Sequence, residues 1–303
     1  MKFVLAPDSF KESMTSMEAC NAMERGIKKV FKDAECIKVP MADGGEGTVE
    51  ALVHATFGRI ERVNVTGPLG NKVEAFYGVL GNGKTAVIEM ASASGIQLVK
   101  REERNPLITT TFGTGELIKA ALDQGIKHLV IGIGGSATND GGCGMLQALG
   151  GKLLDKDGNQ IAFGGGALKD IESIDLSSLD ERLKEVSIEV ACDVTNPLLG
   201  DNGATIVYGP QKGAQQKMIP KLDSALRHYH DKIERELNMN VKDIPGAGAA
   251  GGMGTALIAF LNAELRPGID VVLEETQFKQ RIKDANLVVT GEGKMDKQTI
   301  YGK

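Results

Sequence analysis

Little in the chain points to export, to metal capture by soft ligands or to nucleic acid. The four cysteines, Cys20, Cys36, Cys143 and Cys192, are scattered with no C-x-x-C pair. That argues against a disulfide framework or a thiolate zinc site, and the expectation is reduced thiols in a cytoplasmic protein. The four histidines form no ligand set either: His54 and His128 stand alone, and His228 and His230 are two apart on an expected helix, which turns them to different faces. The opening "MKFVLAPDSF" carries too short an apolar run for a signal peptide. Forty acidic against thirty-five basic residues leave a net charge of −5 with no basic block, so a nucleic-acid partner is not expected. A run of twenty uncharged residues, Ile244 to Ala263, "IPGAGAAGGMGTALIAFLNA", has the length of a membrane span. Its first half is mostly glycine and alanine, so a loop running into a buried helix is expected, with no membrane partner.

What the chain has in excess is glycine, 39 residues, nearly twice the usual share of about 7%. The glycines cluster in "ADGGEG", "GIGGSATNDGGCG", "FGGG", "PGAGAAGGMG" and "GEG". Such clusters at strand ends permit tight turns and close approach of backbone to a ligand.

The element order is that of an α/β protein. "KFVLA" reads as a short buried strand, followed by a helix capped by Thr15 with Glu18 three residues on. Next come the strand "CIKVPMA", the loop "DGGEGT" and a helix from Val49 to about Thr56. This order implies a parallel sheet with ligands beyond its carboxyl edge, where Asp8, Ser9, Lys11, Asp43 and Glu46 fall. After residue 60, "ERVNVT", "VEAFYGV" and "TAVIEM" alternate as an antiparallel meander. That grammar places a boundary near residue 62. Helix and strand resume with "GELIKAALDQG" and "HLVIGIG", the segment Ala214 to Leu237 holds a long helix with Pro220 in its first turn, and "ANLVVTGEG" returns to a parallel strand. The expected fold is thus two α/β domains. A Rossmann- or flavodoxin-like parallel-sheet domain, residues 1–62 plus 283–303, is interrupted by an inserted mixed α/β domain, residues 63–282.

Two motifs invite a nucleotide reading. "GVLGNGKT", residues 78–85, matches the phosphate-loop pattern, but that pattern needs a strand before it and a helix after it. Here both flanks alternate, and Asn82-Gly83 marks a hairpin. "GIGGSA" resembles a dinucleotide fingerprint, but no acid ends a next strand at the expected distance. "DGGEGTVEAL" and "DGGCGMLQAL" echo each other, which we read as two solutions to one turn problem.

The polar residues among the glycines are acids, amides and small hydroxyls, any one of which could simply cap a helix. Together they supply what phosphoryl transfer requires: oxygen ligands for Mg2+, amide nests for phosphate, lysines, and a base for the accepting hydroxyl. No serine lies in a G-x-S-x-G elbow. The blocks "DSFKES", "PMADGGEGT", "GSATNDGG", "CDVTNPLLG", "GPQKGA", "PGAGAAGGMG" and "GEGKMDKQT" then closely resemble, in order, the signatures of the bacterial glycerate kinase family (type 1). The resemblance implies two α/β domains around a cleft, ATP as phosphoryl donor, and D-glycerate as acceptor, usually at the 2-hydroxyl. Family members continue past "QTIYGK" with at least one more α/β unit, so the first domain is expected to be incomplete at Lys303.

With that resemblance, Asp193, Asp43 and Lys11 are the catalytic candidates, Asp193 for orienting or deprotonating the hydroxyl. Asp8, Ser9, Gly44, Gly45, Asn139, Asn196, Lys212 and Glu292 are expected to bind substrate or nucleotide. Gly134, Gly135, Ser136 and Thr138 are expected to form a phosphate nest at a helix N-terminus. Asp140 and Asp296 are candidates for Mg2+. A homodimer is left open. The rival readings are an NAD-dependent hydroxy-acid dehydrogenase and a non-catalytic sugar-acid binding protein.

Overall fold

The computed structural model describes residues 1–10 and 13–294. The apolar start forms β1 (Lys2–Pro7), buried almost throughout. Helix α1 (Ser16–Val30) begins where the sequence places its cap: Thr15 Oγ1 accepts from Glu18 N, and Glu18 returns the contact to Thr15 N at 2.8 Å. Its Cys20, Met17, Met23 and Ile27 pack against Phe3 and Leu5 of β1, as an amphipathic helix should. Strand β2 (Glu35–Lys38) follows, then α2 (Thr48–Thr56). The meander is β3 (Arg59–Thr66), β4 (Lys72–Val79) and β5 (Thr85–Glu89). After it come α3 (Ala91–Ser94), α4 (Phe112–Asp123), β6 (His128–Gly132) and α5 (Cys143–Ala148). The pair β7 (Lys152–Leu154) and β8 (Ser173–Asp175) is a small antiparallel ribbon, followed by β9 (Ser187–Ala191) and α6 (Ala204–Tyr208). The long α7 runs Ile219–Leu237, and α8 (Ala249–Leu261), β10 (Glu264–Arg266), α9 (Gly268–Glu275), α10 (Phe278–Arg281) and β11 (Leu287–Gly291) complete the described chain.

Two larger sheets result. The smaller has the order β11-β1-β2, all parallel. The other is mixed, β10-β9-β6-β5-β4-β3, with β10, β9, β6 and β5 parallel and the meander forming its antiparallel end. Strand β5 therefore belongs to both grammars. On one face of the mixed sheet Ile88, Ile131 and Val190 pack under α4, α5 and α8. On the other, Val87 and Val130 meet Val49, Leu52 and Val53 of α2, which also touch Val4 and Ala6 of β1. Helix α2 is thus wedged between the two sheets. Fully burying each such Val or Leu contributes about 1.5–3 kcal/mol, so the wedge is fixed more by these contacts than by helix propensity.

Two sequence expectations are met here. Helix α7 starts at Ile219, inside the segment expected to hold it, with Pro220 in its first turn. In the glycine-rich run, Ala250, Gly251 and Gly252 are left-handed, so the right-handed helix proper begins at Met253. That is the expected loop leading into a buried helix. Among the described residues no helix is long and apolar enough to cross a membrane.

Candidate functional site

The carboxyl ends of the parallel strands lie in register at one edge of each sheet. Across the mixed sheet Glu89, Gly132, Ala191 and Arg266 are successive neighbours. In the smaller sheet Pro7 stands beside Gly291. The loops leaving these positions carry most of the glycine clusters, and three of them touch through backbone. The Gly44 carbonyl lies against Gly132, and the Asp43 carbonyl against Gly268. A side chain at Gly44, where φ is +87°, would put its Cβ 2.7 Å from that of Ala191. Glycine is therefore required at Gly44 for close approach as well as for conformation.

The acids gather around this junction. Asp193, exposed at the end of β9, accepts from Gly268 N at 2.8 Å, while the Asp43 carbonyl meets Gly268 from the other side. Asp43 Oδ1 also accepts from Gly45 N at 3.1 Å. From the smaller sheet, Asp8 has its carboxyl pKa raised, first by burial and then by the charges of Asp43 and Glu292. Its own Oδ1 accepts from Ser9 N at 2.6 Å. Asp8, Ser9, Asp43, Gly44, Gly45, Asp193 and Glu292 are thus brought together. Gly134 and Gly135 are exposed beside them, Gly134 facing Gly45, with Ser136 just below the surface.

The other expected residues lie behind this surface. Asp140 is 1% exposed and accepts from Thr111 N and Oγ1 at 2.8 and 2.9 Å, and from Gly142 N and Gly144 N at 3.2 and 3.3 Å. Burial raises its pKa against these donors, and both oxygens are engaged inside the protein. This geometry goes against Mg2+ at Asp140 and against phosphate at the start of α5, whose amides Asp140 already holds. Thr138 and Asn139 are fully buried, and Lys212, also buried, donates to the Thr138 carbonyl at 2.7 Å. Burial pushes Lys212 down to about 7, opposed by the charge of Asp140. Lys212 thus braces the 134–140 loop from within, while among the described residues the buried Thr138 Oγ1 and Asn139 Oδ1 have no hydrogen-bond partner. Asn196 is occupied locally: Tyr208 OH donates to its Oδ1 at 2.6 Å, and its amide donates to the Asn202 carbonyl at 2.8 Å. Lys11 and Asp296 lie outside the described residues.

Composition alone did not single out Glu89. It ends β5 on the face opposite Ile88, is 6% exposed, and accepts from Val49 N of α2 at 2.8 Å. Helix α2 has no side-chain cap of its own, since its N-cap is Gly47, so the carboxylate of another strand serves it. Burial, then the charges of Glu50 and Glu46, push Glu89 up to about 7, while the amides of Val49 and Gly47 oppose this. The signal in the sequence is an acid closing an otherwise apolar strand. Three helix N-termini of this region, those of α2, α5 and α9, are thus each met by a protein carboxylate, which the macrodipole favours.

Away from this junction, the tight cluster of ligating side chains among the described residues is His230, Asp231 and Glu234. His230 Nε2 accepts from Val241 N and Lys242 N, both at 3.2 Å. Its proton is therefore on Nδ1, which cannot then bind a cation. The phosphate-loop lookalike is a hairpin: Leu80 N donates to the Thr85 carbonyl, Gly83 takes φ +66°, and β5 continues from Thr85 with no helix.

Comparison with known proteins agrees with this architecture. The chain is 58% identical over 303 residues to the glycerate 2-kinase of Escherichia coli K12, covering 100% of this chain and 80% of that one. It is 59% identical to a glycerate kinase of Bacillus subtilis 168, covering 79% of it. A crystal structure from Salmonella typhimurium LT2, assigned as a glycerate kinase 2, superposes with a TM-score of 0.96 at 57% identity, over 100% of this chain and 81% of that one. The profile of the glycerate kinase family matches residues 3–303, and the chain belongs to that family.

Proposed function

We propose that the protein transfers the γ-phosphoryl group of ATP to D-glycerate, at the 2-hydroxyl, giving 2-phosphoglycerate and ADP. The observation that carries the reading is the meeting of two parallel sheet edges at Gly44, Gly132 and Gly268, with Asp8, Asp43, Asp193 and Glu292 around them, in a chain of this family. The 2-hydroxyl follows the similarity to the glycerate 2-kinase of Escherichia coli.

In this reading Asp193 receives the proton of the attacking hydroxyl. That oxygen bonds to the γ-phosphorus, the bond to the β–γ bridging oxygen breaks, and ADP leaves with the electron pair. Gly268 N fixes one oxygen of Asp193, which orients the carboxylate. Phosphoryl transfer states are loose, so positioning and electrostatics matter more than proton removal. The exposed amides of Gly134 and Gly135 are placed to meet phosphate oxygens.

The donor set fits Mg2+, a hard cation that takes one or two carboxylates and keeps several waters. Asp8 and Asp43, whose carboxyl groups are close enough for their charges to act on each other, would hold it. When bound it would offset phosphate charge. The smaller sheet with α1 and the mixed sheet with its helices form the two α/β units of the fold, with the substrates taken between them. A coupled ADP-release assay across a panel of hydroxy acids tests the reading. ADP release with D-glycerate alone is expected, and NAD-dependent turnover or binding without ADP release would replace it.

A further inference from the structure

Among the described residues, no side chain of the site loop Asp43–Gly47 is hydrogen-bonded to the mixed sheet. Its glycines touch Gly132, Ala191 and Gly268 through backbone, and its end runs into α2, whose cap is a glycine. One buried acid ties this turn to the sheet. Glu89 stands next to Gly132 in the ladder and reaches across to Val49 N, in the first turn of α2. We propose that Glu89 is a positioning residue for phosphoryl transfer: its anionic carboxylate holds the first turn of α2, and so sets the Asp43–Gly47 loop against Gly268 and Asp193.

The anion suits this task better than a neutral group. It accepts more strongly from backbone amides and is attracted by the positive end of α2. Among the described residues its surroundings supply no compensating cation. From α2 and the loop it faces Glu50 and Glu46, which repel it. The neighbouring β6 residue is Gly132, and α3 is uncharged. Charges on the other packed elements are turned to other work. On β4, Glu74 pairs with Arg62 and Lys72 with Glu116 of α4; further along α4, Asp123 pairs with Arg182 and Lys119 is exposed. On β6, His128 lies at the far end of the strand beside Glu275. The carboxyl accordingly titrates near neutrality, so the clamp tightens as pH rises through about 7.

The proposal rests on the kinase reading, and the experiment separates the two. ADP release with D-glycerate is measured from pH 5.5 to 8.5 for wild type, Glu89→Gln and Glu89→Leu, with ATP affinity by titration and a thermal melt for each. Wild type is expected to lose turnover below about pH 7. Glu89→Gln keeps an acceptor but no charge, so its profile should lack that limb and lie roughly ten- to a hundredfold lower in turnover at pH 8, the scale of a small misplacement of reacting groups. ATP affinity should hold within a few-fold. Glu89→Leu should fall further, and Glu89→Gln should recover part of that loss. A wild type with no ADP release refutes the kinase reading. An active wild type matched at pH 8 by Glu89→Gln, or a mutant keeping the acid limb, refutes the positioning role.

Discussion

Replacing Glu89 by glutamine should make the protein more stable in alkaline solution, in the same range where it makes it a poorer catalyst. The folded state holds the Glu89 proton up to about 7, against an ordinary carboxyl value of 4.5. Between these values the folded protein binds a proton that the unfolded chain has lost, so the contribution of Glu89 to stability falls as pH rises through that window. Above pH 7 the loss is complete and flat. The gap of roughly 2.5 pH units (7 − 4.5), at about 1.4 kcal/mol each, puts the cost of the ionised side chain at about 3 kcal/mol. Glutamine has nearly the same shape and never ionises. Its stability relative to wild type should therefore be near zero at pH 4.5 and rise to about 3 kcal/mol by pH 8, a gain of roughly 5–10 °C in melting temperature. Denaturant melts of both proteins at pH 4.5, 6, 7 and 8 measure this directly, and taking the difference cancels every other titrating group. Parallel curves at all four pH values would refute the reasoning, because they would mean that Glu89 titrates alike in both states.

Asp193→Asn keeps the acceptor for Gly268 N and removes the base, so turnover should drop by about 10² to 10⁴ while ATP affinity holds within a few-fold; a mutant above roughly a tenth of wild type would refute the base. Lys84→Ala should leave ATP affinity within about threefold, as the hairpin contacts no phosphate, and a hundredfold loss by titration would show otherwise. Asp140→Asn sets an amide NH2 against backbone donors in a buried pocket and removes the charge beside Lys212. A loss of about 2–4 kcal/mol in denaturant melts is expected, and a stability equal to wild type would return Asp140 to the list of open carboxylates.

Local chemistry was readable where neighbours in sequence decide it. The Thr15–Glu18 cap, the Asn82-Gly83 hairpin and the break before Met253 are set by residues within a turn of one another. The echo between the two D-G-G-x-G loops was also a turn problem: Asp43 and Asp140 each accept from the amide two residues on. What sequence could not supply is the direction each loop faces. Asp43 and Asp140 carry the same local motif, yet one stays partly exposed at the loop junction and the other is sealed inside by Thr111, a residue 29 positions away. Lys212 beside glycine reads as a phosphate ligand until the fold turns it inward onto the Thr138 carbonyl. Glu89 was invisible for the converse reason. Its partner, Val49, is 40 residues away on another element, and an acid at the end of an apolar strand has no local pattern.

The backbone junction of Gly44, Gly132 and Gly268 bears on how this site can be altered. Most binding sites are retuned by exchanging side chains of graded size, with neighbours repacking around each step. At this joint there are no rotamers to exchange, and the smallest addition, one methyl at Gly44, already collides with Ala191. The joint therefore behaves as a fixed datum from which the surrounding acids are measured. A change of acceptor specificity has to be sought in the side chains that border it, such as Ser9 or Ser136, because no series of conservative steps leads through the joint itself.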